Sequence, residues 1–314
     1  MLDPNQLRVF LMAAELLNFT RAAEKLHMTQ PAVTHHIQAL EAQLGKQLFI
    51  RKGRSMELTT AGRTLLPLAW QLVSVSMRAE EILTATDDDI AGQLVIGCST
   101  TPGKYLLPIL LSDFMTLHPH IQAACRISSR DTAMEALASG AVQFAFSSSA
   151  DVLDSSIEMR KFISEPVDLI VPLDHPWAAR DEVEAQELLF ARFVSREESA
   201  GTYMVVKREL AKQGINIADL RIVLTVGNSE AIGISVARGI GIGFVSRSVL
   251  THMLAGKVAP VKVKKFSLEQ DIYICRNRLR SASPVEAAFW EYVTQTDLPI
   301  LRELGYQTEL SLED

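Results

Sequence analysis

Between Thr29 and Leu40 the chain reads Thr-Gln-Pro-Ala-Val-Thr-His-His-Ile-Gln-Ala-Leu, a run whose side chains are suited to recognition chemistry. On a helix turning about 100° per residue, Val33, Ile37, Leu40 and Leu44 share one side, and Pro31, Thr34, His35 and Gln38 the other. A solvated helix face ordinarily carries Glu and Lys. This one carries short, neutral hydrogen-bonding groups of the kind that meets base edges in a major groove. Spacing alone leaves base reading and a plain amphipathic helix equally open. A second group, Arg51-Lys52-Gly53-Arg54-Ser55, lies between Leu48-Phe49-Ile50 and Met56-Glu57-Leu58. Two short strands joined by a glycine-containing turn make a hairpin. Its basic tip suits phosphates, a contact that positions without reading sequence; the alternative is a solvated turn.

A third group is a set of hydroxyl-rich loops: Ser99-Thr100-Thr101, Ser128-Ser129, Ser147-Ser148-Ser149, Gly201-Thr202 and Asn228-Ser229. Hydroxyls and free N–H groups at helix starts suit a carboxylate or other small oxyanion, although each Ser or Thr alone is equally well an N-cap. Arg126, Arg130 and Arg196 are available as countercharge.

These groups need positioning. Leu7, Phe10, Leu11, Ala14 and Leu17 recur at helical spacing and predict an amphipathic first helix ended by Asn18 and Phe19. Thr20 is the expected N-cap of a second helix, Arg21 to Leu26. His27-Met28 is a turn, and Thr29 or Gln30 caps the third helix with Pro31 in its first turn. Helix, tight turn and helix are followed by the hairpin as a wing. Beyond Gly62, Leu65, Leu68, Leu72, Val75, Ala79 and Ile82 alternate spacings of three and four. That pattern predicts a long helix pairing with its copy in a second chain, a single buried helix being the alternative; Pro67 should bend its first turns. Asp87-Asp88-Asp89 breaks the pattern, and Ala91-Gly92 marks a hinge.

The rest shows an internal echo. A strand at Leu94 to Gly97, a helix through Leu117, a strand at Ile121 to Ile127, a helix near Thr132 to Ala138 and a strand at Val142 to Phe146 come first. The same order returns as Phe193 to Ser195, a helix to Lys212, Ile222 to Val226, Ser229 to Ala237 and Ile242 to Val245. Two α/β lobes are implied, with the chain crossing near Glu165 to Pro172 and returning near Lys264 to Ile274. The cleft between them is the expected ligand site.

The 314 residues, 48% of them hydrophobic, are enough for two or three compact units. The net charge of -6 conceals an asymmetry: residues 1 to 78 carry nine bases and five acids, 9 - 5 = +4, which leaves 22 bases and 32 acids, or -10, for the remainder. A basic head on an acidic body suits a polyanion-binding module. With no apolar run long enough to span a bilayer and no signal-like N-terminus, a cytoplasmic, membrane-free protein is expected. Cys98, Cys125 and Cys275 lack the spacing of a zinc site or disulfide framework, so no metal or cofactor is expected. There is no P-loop, nucleophile elbow or H-E-x-x-H, and Gly239-Ile-Gly-Ile-Gly243 is followed by a strand rather than a helix; no enzyme is expected.

Phe19-Thr-Arg-Ala-Ala-Glu-Lys-Leu, Thr29-Gln-Pro-Ala-Val-Thr, Leu40-Glu-Ala-Gln-Leu-Gly-Lys-Gln-Leu-Phe, Arg51 and Leu58-Thr-Thr-Ala-Gly62 together resemble the winged helix-turn-helix of LysR-type transcriptional regulators. His118-Pro119, Val171-Pro-Leu-Asp-His-Pro-Trp-Ala178, Gly201-Thr202 and Asn228-Ser-Glu-Ala-Ile232 resemble the effector-binding domain of the same family. The resemblance implies a DNA-binding domain at 1–62, a linker and dimerisation helix at 63–90, and a two-lobed α/β effector-binding domain of periplasmic-binding-protein type at 91–314. Lobe I is expected at about 91–163 and 268–314, lobe II at about 164–267. The expected DNA contacts are Thr20, Thr29, Gln30, Pro31, Thr34, His35 and Gln38, with Arg51, Lys52 and Arg54 on phosphates. Ser99, Thr100, Thr101, Ser128 and Thr202 match inducer-contacting places of the family; Ser147 and Ser229 join them from the loop reading. Expected partners are promoter DNA, a small anionic effector, a second or further copies of the chain, and RNA polymerase. Val226-Gly-Asn-Ser-Glu-Ala-Ile resembles the branch regulating carbon-fixation and sulfur-assimilation operons. One departure stands out: His35-His36 occupy places where many members carry Arg or Lys, which implies weaker phosphate contact or a pH dependence near the ordinary histidine range. A solute-binding receptor and a metabolite-binding enzyme are the rival classes; the first would lack a winged helix.

Overall fold

The computed structural model describes residues 2–52, 55–84, 90–148 and 154–294, together with residues 298 and 301, apart from the side chains of residues 81, 82 and 84. Gly53 and Arg54 of the hairpin tip, Asp87 to Asp89, Ser149 and the side chain of Ile82 lie outside the described residues.

The head packs three helices, α1 (Pro4–Leu16), α2 (Phe19–Lys25) and α3 (Gln30–Leu44). Asn18, not Thr20, caps α2: its side-chain oxygen accepts from the N–H groups of Thr20 at 3.0 Å and Arg21 at 3.1 Å. The second helix therefore starts two residues earlier than expected, and α1 ends at Leu17 in a left-handed conformation. Thr29 caps α3, as one of the two expected alternatives. Phe10, Ala22, Ala23, Val33, Ile37 and Leu40 fill the shared core. Small alanines at the crossing let α2 approach its neighbours, and the burial of these side chains, about 1.5–3 kcal/mol for each large one, drives the packing. Leu44 falls outside the expected stripe: in the last turn before the left-handed Gly45 cap, it is 36% exposed.

The wing is an antiparallel hairpin of β1 (Phe49–Lys52) and β2 (Ser55–Leu58), with Phe49 opposite Leu58. Glu41 ties it to α3 by accepting from the Leu48 N–H at 2.7 Å. Phe49 packs against Phe10 and, edge-on, against Phe19. Gly62 lets the next element pass close: a Cβ there would lie 2.3 Å from the Leu48 carbonyl oxygen.

That element, α4 (Thr60–Thr84), continues through Pro67 as one helix. Its two faces differ. Leu65, Ala69 and Val73, at intervals of four, are buried in the head's core, whereas Leu68, Leu72 and Val75 are 50%, 47% and 60% exposed. Leu65 thus belongs to the head rather than to the expected seam, because its i+4 partners face the head's core. The remaining seam is an apolar face with no partner within the described chain.

The body has two lobes. In lobe I the strands run in the order β4 (Ile121–Ile127), β3 (Gly92–Cys98), β5 (Phe144–Ser147), β12 (Glu269–Asn277), β6 (Ile157–Val171). The first three are parallel to one another, with crossover connections through α5 (Leu107–Leu117) and α6 (Arg130–Ser139) as parallel strands require. A turn of π-helix, Pro102–Leu106, leads into α5, and α10 (Pro284–Thr294) packs Phe289 onto Phe114 and Phe144. Lobe II holds β7 (Glu182–Val183), β8 (Arg192–Arg196), α7 (Gly201–Lys212), β9 (Arg221–Val226), α8 (Ser229–Ala237), β10 (Gly243–Ser246), the short α9 (Arg247–Val249) and β11 (Ala259–Val263). The 15-residue β6 serves both: Ile157 to Pro166 pair with β12, and Val167 to Val171 with β10 and β11. The crossing strand therefore begins eight residues before the expected Glu165, and the two lobes share one hydrogen-bonded ladder.

Candidate nucleic-acid interface and ligand cleft

On α3 the structure leaves Gln30, Pro31, His35 and Gln38 exposed and Thr34 half-buried, while Val33 and Ile37 are locked inside. The Gln30 amide donates to the Thr34 hydroxyl at 2.8 Å, which orients both on one turn. His35 and His36 stand edge to face, with ring centroids 6.3 Å apart. Thr20 is exposed on α2, and Thr29 uses its hydroxyl to accept from the Ala32 N–H at 3.4 Å. On the wing Arg51 and Lys52 are exposed; Lys52 reaches Glu57 of the neighbouring strand at 3.3 Å, an acid the tip's own sequence did not foretell. Such an exposed pair is weak and leaves the ammonium available to a phosphate.

The cleft between the lobes, about 240 Å³, collects loops that are remote in sequence. Ser99, Thr100, Thr101, Ser128 and Thr202 all line it. Ser147 and Ser229 do not: 1% and 2% exposed, they stand behind its two arginines. The Arg130 Nε donates to the Ser147 hydroxyl at 3.1 Å, and Arg196 Nη1 to the Ser229 hydroxyl at 3.3 Å. Each serine aims a guanidinium that itself borders the cleft. Arg196 is also gripped by Glu197, at 2.6 and 2.9 Å, and these bonds hold the Glu197 carboxyl below the usual carboxylate range. Arg130 also lies 3.4 Å from the exposed Asp131. Arg126 faces elsewhere: it lies over the Trp70 ring at 4.9 Å and donates to the Ala141 carbonyl, joining α4 to lobe I.

Two features mark the cleft floor. The Thr202 hydroxyl, on a residue 6% exposed, has no hydrogen-bond partner among the described residues, although buried polar groups are normally satisfied. Ala200, preceding α7, offers no side chain to cap the first N–H groups of that helix, which leaves the positive end of its dipole open toward the cleft. Gly201 sits so tightly that a Cβ would lie 2.5 Å from Gln270 Nε2 and 2.6 Å from the Ser148 hydroxyl.

Gln270, on the returning strand β12, is a lining residue that sequence reasoning missed; only its place in the returning segment hinted at it. An interlobe latch was also missed. Lys104 and Tyr105 of lobe I both reach Glu230 of lobe II, each at 2.6 Å. These bonds, Lys104 first, lower the Glu230 pKa, while burial followed by Glu230 raises that of Tyr105 to about 12. Burial likewise pushes the Cys98 and Cys275 thiols up to about 12 and raises Cys125, as expected of strand cysteines rather than reactive thiols. No helix among the described residues is long and apolar enough to cross a membrane.

Residues 4–63 match the bacterial regulatory helix-turn-helix protein family of lysR type, and residues 87–297 the LysR substrate binding domain. A probable RuBisCO transcriptional regulator of Cyanidioschyzon merolae is 32% identical over 291 residues, which cover 91% of this chain and 94% of the relative. Full-length CbnR, solved in complex with its target DNA, superposes with a TM-score of 0.69 at 24% identity over 93% of this chain and 99% of that one. The CcmR regulatory domain of Synechocystis PCC6803, solved with 2-PG, covers 64% of this chain and 95% of its own at a TM-score of 0.58 and 22% identity. With both domain matches in the expected order and together spanning most of its length, the chain belongs to the LysR family of DNA-binding transcriptional regulators, an effector-binding domain following its helix-turn-helix.

Proposed function

We propose that this regulator reads its operator through Gln30, Thr34, His35 and Gln38 of α3, with Thr20, Thr29 and Pro31 against the DNA beside them and Arg51, Lys52 and Arg54 on phosphates. Its activity is set by a small oxyanion, a carboxylate or phosphate, bound between the lobes by Ser99, Thr100, Thr101, Ser128 and Thr202 with Arg130 and Arg196. Ser147 and Ser229 act through the arginines they orient. The observation that carries this reading is the buried, unpartnered Thr202 hydroxyl, next to an uncapped helix start and two aimed guanidinium groups. The DNA domain ends near residue 62, the linker near residue 90, and the exposed Leu68, Leu72 and Val75 face of α4 pairs two chains in the cytoplasm. The carbon-fixation branch suggested by the C. merolae relative, and the anionic 2-PG bound by the CcmR domain, are consistent with this choice of ligand class.

Thr202→Val tests it. The substitution replaces the orphaned hydroxyl by a methyl of similar shape. The apo protein should therefore melt no lower than the parent, whereas effector affinity falls by about 1 kcal/mol or more through the lost hydrogen bond. Operator affinity without effector should not change. A variant whose promoter response to effector matches the parent's would move the ligand elsewhere.

A further inference from the structure

A second charged cavity lies at the junction of α4 with lobe I and shares no lining residue with the cleft. We propose that this cavity is a separate binding site for a small, doubly charged oxyanion, a phosphate or sulfate group. Its volume is about 200 Å³, below the roughly 300 Å³ where pockets for drug-sized ligands begin. That is room for an oxyanion carrying few further atoms.

Four guanidinium groups line it, those of Arg78, Arg276, Arg278 and Arg280, against one lining carboxylate, Glu286. The acids nearby are already engaged. Glu158 holds Arg276 at 2.7 and 2.8 Å, and the same arginine stacks over the Trp290 ring at 3.9 Å. Glu286, 8% exposed, lies 3.5 Å from Arg78 and gives its other oxygen to the Ser283 N–H at 2.9 Å. Arg280 is fixed by donating to the Ala138 carbonyl at 2.9 Å, and packs tightly over Gly140. Burial, and then Arg78, disfavour its charge. Arg278 is exposed at the mouth, with no acid paired to it among the described residues. One buried carboxylate cannot balance Arg78, Arg280 and Arg278 together. Converging like charges in a partly buried space are unfavourable until a counter-charge arrives, and planar guanidinium forks match the oxygens of a tetrahedral oxyanion. The walls come from α4 through Ser74 and Arg78, from β12 and the turn after it, and from α10. An anion held there braces the DNA-domain linker against lobe I.

The test is calorimetric titration of the full-length protein with inorganic phosphate up to 10 mM, at ionic strength held constant with chloride, an upper limit of about ten times a millimolar Kd. Four proteins are compared: the parent, Arg280→Gln, Arg278→Gln, and Arg130→Gln, which disables the cleft. Phosphate binding that survives in Arg130→Gln and weakens about tenfold in Arg280→Gln, with a smaller loss in Arg278→Gln, supports the site. Arg278 is exposed, so its replacement keeps the test valid if Arg280→Gln fails to fold. Repeating the titration with glycerol phosphate distinguishes a free ion from an esterified one. An absence of phosphate binding in the parent, its complete loss in Arg130→Gln, or binding in both cavity variants equal to the parent's overturns the proposal.

Discussion

The head and the cleft both display neutral hydrogen-bonding groups beside arginines, yet they are built in opposite ways. On α3 and the wing the polar groups are exposed, and their few bonds are weak and local, as between Gln30 and Thr34 or Lys52 and Glu57. In the cleft the charged groups are held in place: Ser147 and Ser229 hold arginines and Glu197 grips Arg196, while the buried Thr202 hydroxyl has no partner among the described residues. The difference follows from the partners. DNA supplies a dense array of charge and delivers much of the binding energy through counterion release, so the head needs only a rigid backbone that presents side chains. A small molecule brings few groups, so its site must be preorganised.

The sharpest way to separate the two regions is through their tight glycines. Gly62→Ala places a methyl against the Leu48 carbonyl, which cannot swing aside. It should destabilise the head by about 1–3 kcal/mol and cost operator binding, while a thermal unfolding scan shows effector still protecting the body. Gly201→Ala places a methyl against Gln270 and Ser148, both of which line the cleft. Effector protection should vanish with operator binding intact. If both variants lost both activities, head and cleft would not be separable units.

Next in size is base reading. His35→Ala should relax preference at one base pair by about 1–3 kcal/mol, measured by competition between operator variants; an equal loss on random DNA would make His35 a positioning contact. Arg51→Ala should weaken specific and random DNA alike and reduce the salt dependence of binding by about one unit. An unchanged slope removes Arg51 from the phosphate contacts.

The smallest effect belongs to the latch. Lys104 and Tyr105 lower the Glu230 pKa below its ordinary 4.5. Its contribution is therefore complete above that value and disappears as pH falls through the lowered one. Glu230→Gln should remove this part of the acid-side loss of stability and loosen the lobes, seen as faster hydrogen exchange around Lys104 and Tyr105. An acid limb superimposable on the parent's would make the latch incidental.

The head was legible in sequence because its parts are contiguous: cap, turn, helix and hairpin follow within about 45 residues, and periodicity at 3.6 exposes which face is free. Where reading slipped, at Thr20, Leu44 and Leu65, neighbouring residues or the end of the helix decided the outcome: Leu44 sits in the last turn before the Gly45 C-cap. Asn18 took the cap, and Ala69 and Val73 drew Leu65 inward. The lobes were legible through their repeated order of elements. The cleft was legible only as a set of loops, since nothing in local sequence says that Ser147 and Ser229 stand behind guanidinium groups while Thr202 looks inward. Likewise Arg126 could not be told from Arg130: they are four residues apart, but one ends on Trp70 and the other on Ser147.

The long strand β6 has a mechanical meaning. Because one unbroken run of backbone serves both sheets, paired throughout lobe I with β12, the lobes are not joined by a free pivot. The register shift opposite Ile272 and Tyr273 leaves Phe162 of β6 as the extra residue, in the lobe I half of the strand before it passes to lobe II at Val167, and bulges are where a ladder twists most readily. Any movement of one lobe against the other in such a body must twist a shared ribbon rather than swing about a free hinge.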